Sequence, residues 1–360
     1  MVVSTRKWRV LKNKKVGERM KDRLNIILKA AVEAYVDTGE PVSSKLILAR
    51  EGLNVSSATV RNDLAELERI GYLEQPHTSA GRIPTEKGYR YYVDHLLQST
   101  DLSVERAAIL DEVVGDPTGN VDEFLKHALS RFSEITGYTA AAVMSHSDED
   151  RIIKVELVKT ADNCLNLVAI TRSGTVKNSF CRFYFLADDD EIQTLSQLLN
   201  SFLGDVSFTR LTDEDFEVLE AKLSALHSNW NFLAGVVKNM VNSIRNPKVF
   251  VSGQSNLLSH PEFYEVHKVQ NVMRFLSHEE EIRNLLSVQG GEELSIAIGS
   301  EIAGMDFGDM GLIVRKYGSR SGFGAISLLG PKRMDYGANA SQVEYFAKCI
   351  EQYLKDREGS

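Results

Sequence analysis

Four polar residues between positions 57 and 62 have the side-chain types that proteins use to read DNA. Arginine can form two hydrogen bonds with guanine and asparagine two with adenine, whereas small hydroxyl side chains bond to bases or to phosphates. The four residues are Ser57, Thr59, Arg61 and Asn62. They fall near the N-terminal end of a predicted helix, where free N–H groups favour phosphate, so this end is suited to the major groove.

The same helix carries three acidic residues further along, Asp63, Glu66 and Glu68. Carboxylates repel the phosphates of DNA, so these residues argue against the whole helix lying in the groove. We therefore expect only its N-terminal part to reach the bases.

A polar loop downstream offers a second set of DNA contacts. It joins two short strand-like segments, 72–74 and 82–84, and its side chains can bond to phosphate oxygens. The residues expected to do so are His77, Ser79 and Arg82, of which Arg82 is the cation. The alternative is a winged helix that is used for contact with protein.

Three predicted helices position these residues. Apolar residues at helical spacing begin the first helix at Leu24, and a short second helix covers 44–50. Ser56 or Ser57 caps the third helix. Helix, short helix, helix and a two-stranded wing together predict a winged helix-turn-helix domain over residues 24–98.

Charge is distributed unevenly along the chain. Residues 1–95 carry 17 Lys and Arg against 12 Asp and Glu, a net of +5, and the remainder has a net of −13. A basic head on an acidic body is typical of a protein in which one domain meets phosphates. Residues 1–23 hold nine of the cations and are expected to be a flexible arm, which either contacts phosphates or keeps the chain soluble.

The rest of the chain has a mixed helix and strand pattern. Helices are predicted at 103–115 and 121–136, strands at 138–144, 152–159, 164–171, 175–185, 294–298, 311–316 and 324–329, and a closing helix follows. A helical block separates the two groups of strands. This pattern predicts a sheet domain in two parts, 99–187 and 261–360, with an inserted module at 188–260.

One apolar register inside that module is unusually long. It comprises Phe216, Leu219, Leu223, Leu226, Trp230, Leu233, Val237, Met240 and Ile244, at alternating steps of three and four. A seam of this length favours a helix–helix interface between subunits, so the module is expected to form a dimer. The alternative is two core helices broken near 227–229.

Several functional classes are excluded by missing signals. The chain has no H-E-x-x-H, P-loop or G-x-S-x-G motif, so we assign no catalytic residue, metal or cofactor and expect no enzyme. Its three cysteines, Cys164, Cys181 and Cys349, form no disulfide or zinc pattern. No export signal and no membrane-spanning run of about 18 apolar residues is present, which predicts a cytoplasmic protein.

Four strings of the N-terminal part resemble the HrcA family of bacterial heat-inducible transcription repressors: EPVSS (40–44), SSATVRNDL (56–64), GYL (71–73) and HTSAGRIPT (77–85). The resemblance covers nearly the whole chain. It implies an α+β multidomain fold, in which a winged helix-turn-helix precedes a GAF-like α/β domain that is interrupted by a helical dimerising insertion. The segment before Leu24 looks like an extension beyond the family's usual start.

The same resemblance implies the partners. A family member is expected to be a homodimer that binds an inverted-repeat operator in double-stranded DNA ahead of chaperone operons, and to need the chaperonin to stay active. Two other classes remain open. One is a winged-helix regulator with a metabolite pocket in the GAF-like domain, and the other is an enzyme with an accessory winged helix, for which no polar catalytic cluster is found.

Overall fold

The computed structural model describes residues 20, 22–51, 55–77, 81–98, 102–114, 121–147, 149–185, 187–289, 294–302, 308–320 and 322–358. Over these ranges the chain is a mixture of helix and sheet, with a helix-turn-helix region at the N-terminus and a sheet-containing region after it. Both were predicted from the sequence. No helix in these ranges is long and apolar enough to cross a membrane.

The N-terminal region has three helices and a short hairpin: α1 (Asp22–Thr38), α2 (Ser44–Glu51), α3 (Ser57–Arg69), β1 (Leu73–Glu74) and β2 (Ile83–Pro84). Ser56 caps α3 by accepting the N–H of Thr59 at 3.1 Å. The predicted stripe of α3, Val60, Leu64 and Leu67, is fully buried against α1 and α2. The two strands pair antiparallel and form the wing.

The remaining elements follow in the order α4 (Glu86–Tyr91), α5 (Val104–Val114), α6 (Val121–Thr136), β3 (Thr139–His146), β4 (Ile152–Ala161), β5 (Cys164–Thr171), β6 (Val176–Arg182), α7 (Asp189–Leu203), α8 (Asp213–Leu226), α9 (Phe232–Arg245), β7 (Lys248–Ser252), α10 (Val266–Leu276), α11 (Glu279–Gln289), β8 (Ser295–Ile298), β9 (Met310–Gly318), β10 (Gly322–Pro331) and α12 (Tyr336–Glu358). A π-helical turn, Tyr92–Leu96, continues α4.

Five of these strands form one antiparallel sheet in the order β7-β3-β10-β9-β8. Alternate residues of each strand face opposite sides, so the sheet has two apolar faces. One face packs against α6 and α12, and the other packs against α10 and α11. Helices therefore cover both faces of this sheet, which we call the body sheet.

The winged helix and the body share one apolar core. The buried residues of α1 and α3 belong to the same cluster as those of α6, α12 and one face of the body sheet. Tyr89 of α4 lies inside this cluster, fully buried, with its ring 6.4 Å from that of Tyr336. The two regions are therefore packed against each other and not merely tethered.

Strands β4, β5 and β6 form a separate sheet, which packs against α7, α8 and α9 around its own core. We call this part the inserted unit. The chain enters the inserted unit after β3 and returns to the body at β7. These two strands pair with each other, and the last pair before the insertion is Met144 with Lys248. The sheet of the inserted unit begins at Ile152, before the expected module start at 188, and β7 lies before the expected end at 260. Strand partners are a long-range property that alternation along the chain does not reveal.

The expected dimer seam is an internal core. Helices α8 and α9 are separate and joined by a short turn, Ser228–Trp230, as the alternative interpretation held. Eight of the nine seam side chains are buried within the chain, and only Leu226 is exposed, at 46%. The residues expected at a subunit interface are thus covered within the chain: Phe216, Leu219, Leu223, Trp230 and Leu233. The sequence could not distinguish the two cases, because a spacing of three and four is common to intramolecular and intersubunit packing.

Two leucines one turn apart on α8 test this assignment. Leu223→Gln should lower the free energy of unfolding by about 3 kcal/mol or more, since it removes buried apolar surface and buries an amide. Leu226→Gln should change it by less than about 1 kcal/mol because that side chain already meets water. Urea unfolding of both variants measures the difference, and equal losses would contradict the burial of the seam.

Candidate nucleic-acid interface

The N-terminal half of α3 exposes two of the predicted base-reading residues. Arg61 and Asn62 both lie on the solvent side of the helix. Neither has a hydrogen-bond or ion-pair partner within the described part of the chain. An arginine and an asparagine with free donors, adjacent on a capped helix, can each bond twice to a base edge.

The two predicted hydroxyl residues are already engaged in local contacts. The Ser57 and Ser44 hydroxyls lie 3.1 Å apart, which links the starts of α3 and α2. The Thr59 hydroxyl lies 2.9 Å from that of the capping residue Ser56. Both residues remain partly exposed, so the structure gives them a part in fixing the helix start beside any contact with DNA.

The three carboxylates of α3 are each paired with an arginine. Asp63 accepts two hydrogen bonds from Arg23 of α1, at 2.7 and 2.8 Å. Glu66 pairs with Arg69 at 2.6 Å on the same helix, and Glu68 accepts from Arg82 of the wing at 2.9 Å. The negative charge that argued against a groove-facing helix is thus compensated locally, whereas Arg61 is left uncompensated.

Arg82 does not have the free position that the sequence suggested. Its guanidinium pairs with Glu68, its side chain is only 19% exposed, and its backbone exchanges two hydrogen bonds with Val42. The preceding Gly81 allows this approach, since a Cβ there would lie 2.5 Å from the Val42 carbonyl oxygen. Arg82 therefore fastens the wing to the helices, a role that depends on a carboxylate 14 positions away in the chain.

The two other predicted wing residues are His77 and Ser79, and the structure describes only the first of them. His77 is exposed at the end of the described part of the wing, and Ser79 lies outside the described residues. The basic arm is also outside them, apart from Met20 and the residues 22–23. Arg23 was counted with the arm but lies in the first turn of α1, where its hydrogen bond with Asp63 raises its pKa.

One ion pair and two further hydrogen bonds join α4 to the edge of the body sheet and so hold the winged helix on the body. Arg90 donates to the Glu301 carboxylate at 2.8 Å and to the carbonyl oxygen of Ile296, on the edge strand β8, at 2.7 Å. Ser300 donates its hydroxyl to the Glu86 carboxylate at 2.6 Å. Gly299, with φ of +56°, forms the turn that brings these groups together.

No cluster of three or more His, Cys, Asp or Glu side chains that could hold a metal ion occurs among the residues with described positions.

The chain matches two known sequence families. Residues 122–339 match the HrcA protein C terminal domain, and residues 45–86 match a DeoR-like helix-turn-helix domain. The first match includes the whole inserted unit and all five strands of the body sheet.

Full-length relatives and a solved structure agree with these matches. The heat-inducible transcription repressor HrcA of Halalkalibacterium halodurans is 30% identical over 336 residues, which is 93% of this chain and 98% of that protein. The protein of the same name from Carboxydothermus hydrogenoformans is 31% identical over 342 residues, with the same two coverages.

The crystal structure of a hypothetical protein is similar in fold, with a TM-score of 0.67, at 23% sequence identity over 94% of this chain and 100% of that one. Identity at nearly full length, together with the two family matches, settles the family. The chain belongs to the HrcA family of heat-inducible transcription repressors.

Proposed function

We propose that this chain represses heat-shock genes by binding a double-stranded DNA operator, with the N-terminal part of α3 in the major groove. The observation that carries the proposal is the exposed pair Arg61 and Asn62, whose side chains have no partner among the described residues, on a helix whose carboxylates are all compensated. The names of the relatives, heat-inducible transcription repressors, supply the regulated class of genes. The partly exposed Ser57 and Thr59 and the wing residues His77 and Ser79 add contacts at the rim.

The domain organisation that we propose follows the points at which the chain passes from one packed region to the next. The winged helix ends with α4 and its π-helical turn, and the body is a GAF-like domain made of two segments that flank the inserted unit. Support comes from the adjacency of β3 and β7, since an insertion between two paired strands leaves the host sheet intact.

An inverted-repeat operator calls for a protein with a two-fold axis, so we propose a homodimer. Since the α8–α9 seam is buried, the interface must lie elsewhere. Within the described residues, the sheet of the inserted unit packs against helices on one face, and its register places five apolar side chains on the other face: Val158, Val168, Ile170, Val176 and Phe180. Phe180 is 66% exposed.

That outer face fits a second copy of the chain. Exposed apolar side chains that share one face of a sheet mark association sites, and within the described residues β6 pairs with a strand on one side only. A self-complementary patch of this kind meets itself across a two-fold axis. The inserted unit thus keeps the expected dimerising role, with the outer sheet face in place of the seam.

The chaperonin is the second partner we propose. Unfolded proteins would occupy it during heat stress, and repressor that needs it would lose activity until free chaperonin returns. The alternative, a metabolite pocket in the body, has little room, because helices pack on both faces of the body sheet. A cleft of about 280 Å³ lies instead between α1 and the start of α12, lined by charges that are already paired, such as Arg50 with Asp37.

Substitutions on α3 test the proposed groove contact. Arg61→Ala or Asn62→Ala should cost about 1–3 kcal/mol of operator binding and relax the preference at one position of each half-site. Arg69→Ala is the matched control, because this exposed arginine lies on the same helix but is paired with Glu66. Binding titrations with operator and random DNA measure the effect, and an unchanged ratio of the two affinities would refute the assignment.

The outer sheet face is tested by charge. Phe180→Glu should give a folded monomer that binds a full operator much more weakly, because two carboxylates would meet across the axis. Val218→Glu is the control, since Val218 is similarly exposed, at 51%, but lies on α8. Sedimentation gives the oligomeric state; a dimer that persists in the first variant would move the interface to another surface.

Heat control is tested with purified components. Operator binding should rise when chaperonin and ATP are added to partly aggregated repressor, with no small molecule present. Full binding without chaperonin, or binding that is lost on dialysis and restored by the dialysate, would favour the metabolite-responsive alternative.

A further inference from the structure

We propose that Arg23 contacts a phosphate of the DNA backbone and that Asp63 is the positioning residue that holds it there. This inference rests on the proposed function, since it adds one residue to the DNA surface. The sequence placed Arg23 in a flexible arm and treated Asp63 as unfavourable to DNA binding. The structure joins the two residues in one ion pair.

The geometry of the pair leaves part of the guanidinium unused. Arg23 approaches side-on, with Nε donating to one carboxylate oxygen at 2.7 Å and one terminal nitrogen donating to the other at 2.8 Å. A guanidinium has five N–H donors, so three remain after these two bonds. No other side-chain hydrogen bond of Arg23 occurs among the described residues, and its side chain is 53% exposed.

The carboxylate, in contrast, is turned inward. The Asp63 side chain is only 10% exposed, and its residue lies beside the buried stripe of α3, between Val60 and Leu67. Its neighbour Asn62 faces solvent on the base-reading side of the helix. Arg23 therefore covers a carboxylate that directly follows Asn62 in α3, while its own side chain stays half-exposed.

This arrangement differs from the two other pairs of α3. Arg69 comes from the same helix as Glu66, at its C-terminal end, and the Arg82 side chain is largely buried. Arg23 comes from α1 and stays half-exposed, with a rigid partner that reduces the conformational freedom it would lose on binding. A cation fixed in this way is suited to a phosphate oxygen, which accepts charge-assisted hydrogen bonds.

The experiment compares Arg23→Gln, Asp63→Asn and the double variant in the full chain, with operator and random DNA at several salt concentrations. Arg23→Gln should weaken both DNAs alike, by on the order of tenfold, and should lower the slope of log affinity against log salt by about 0.9. In the Asp63→Asn background the same change should cost less than about twofold, because the arginine has lost its anchor. Arg23→Lys should keep the slope but bind more weakly than the native chain.

The sign of the Asp63→Asn effect is itself informative. Loss of a negative charge near DNA should tighten binding if the carboxylate merely repels phosphate, whereas the proposal expects weaker binding. Arg50→Gln is the matched control, since Arg50 pairs with Asp37 at 2.6 Å in the same domain but lines the cleft towards the body. Its slope should be unchanged.

Two results would overturn the inference: an unchanged salt slope in Arg23→Gln, or a change confined to the operator-to-random ratio. Thermal unfolding of each variant identifies losses that come from folding alone. The proposed function is judged separately, by whether the native chain prefers operator over random DNA and whether Arg61→Ala or Asn62→Ala reduces that preference.

Discussion

The position of the DNA surface depends on one contact, the packing of α4 against the body. Tyr89 is buried in a core that the winged helix shares with α6, α12 and the body sheet, and Arg90 is bonded to both Glu301 and the backbone of β8. This charged pair is partly buried, and a pair of this kind with several hydrogen bonds contributes orientation more than stability. Helix α3 is therefore held at a defined angle to the rest of the chain, and in a dimer the spacing of the two helices would follow from this contact.

Local features of the sequence predicted the winged helix well. The Ser56 cap and the Val60–Leu64–Leu67 stripe depend on neighbours within one or two turns, and the structure has them as expected. Partners far apart in the chain could not be predicted in this way. Asp63 and Arg23 are 40 positions apart. Their pairing compensates the negative charge that made Asp63 look unfavourable to DNA binding. An acidic residue in a reading helix is thus informative only once its partner is known.

Partners far apart in the chain also decide how the strands and the apolar seam of the inserted unit are packed. Periodicity found each of its strands and helices but could not assign β4, β5 and β6 to a second sheet, because every strand has the same period of two. The seam in α8 and α9 was correctly identified as apolar and contiguous. Periodicity does not show which surface packs against the seam. In the structure that surface belongs to the same chain. The outer face of the inserted sheet gave a weak signal because its apolar residues are interrupted by Asn166 and Asn178.

The bond from Arg90 to the Ile296 carbonyl oxygen has a consequence for solubility. Strand β8 is an outer strand of the body sheet, and an open strand edge is a template on which another chain can add a strand. While α4 is seated, the winged helix shields this edge. If the winged helix separated from the body, α3 would lose its fixed orientation and the edge of β8 would be exposed at the same time. Loss of DNA binding and self-association would then arise together.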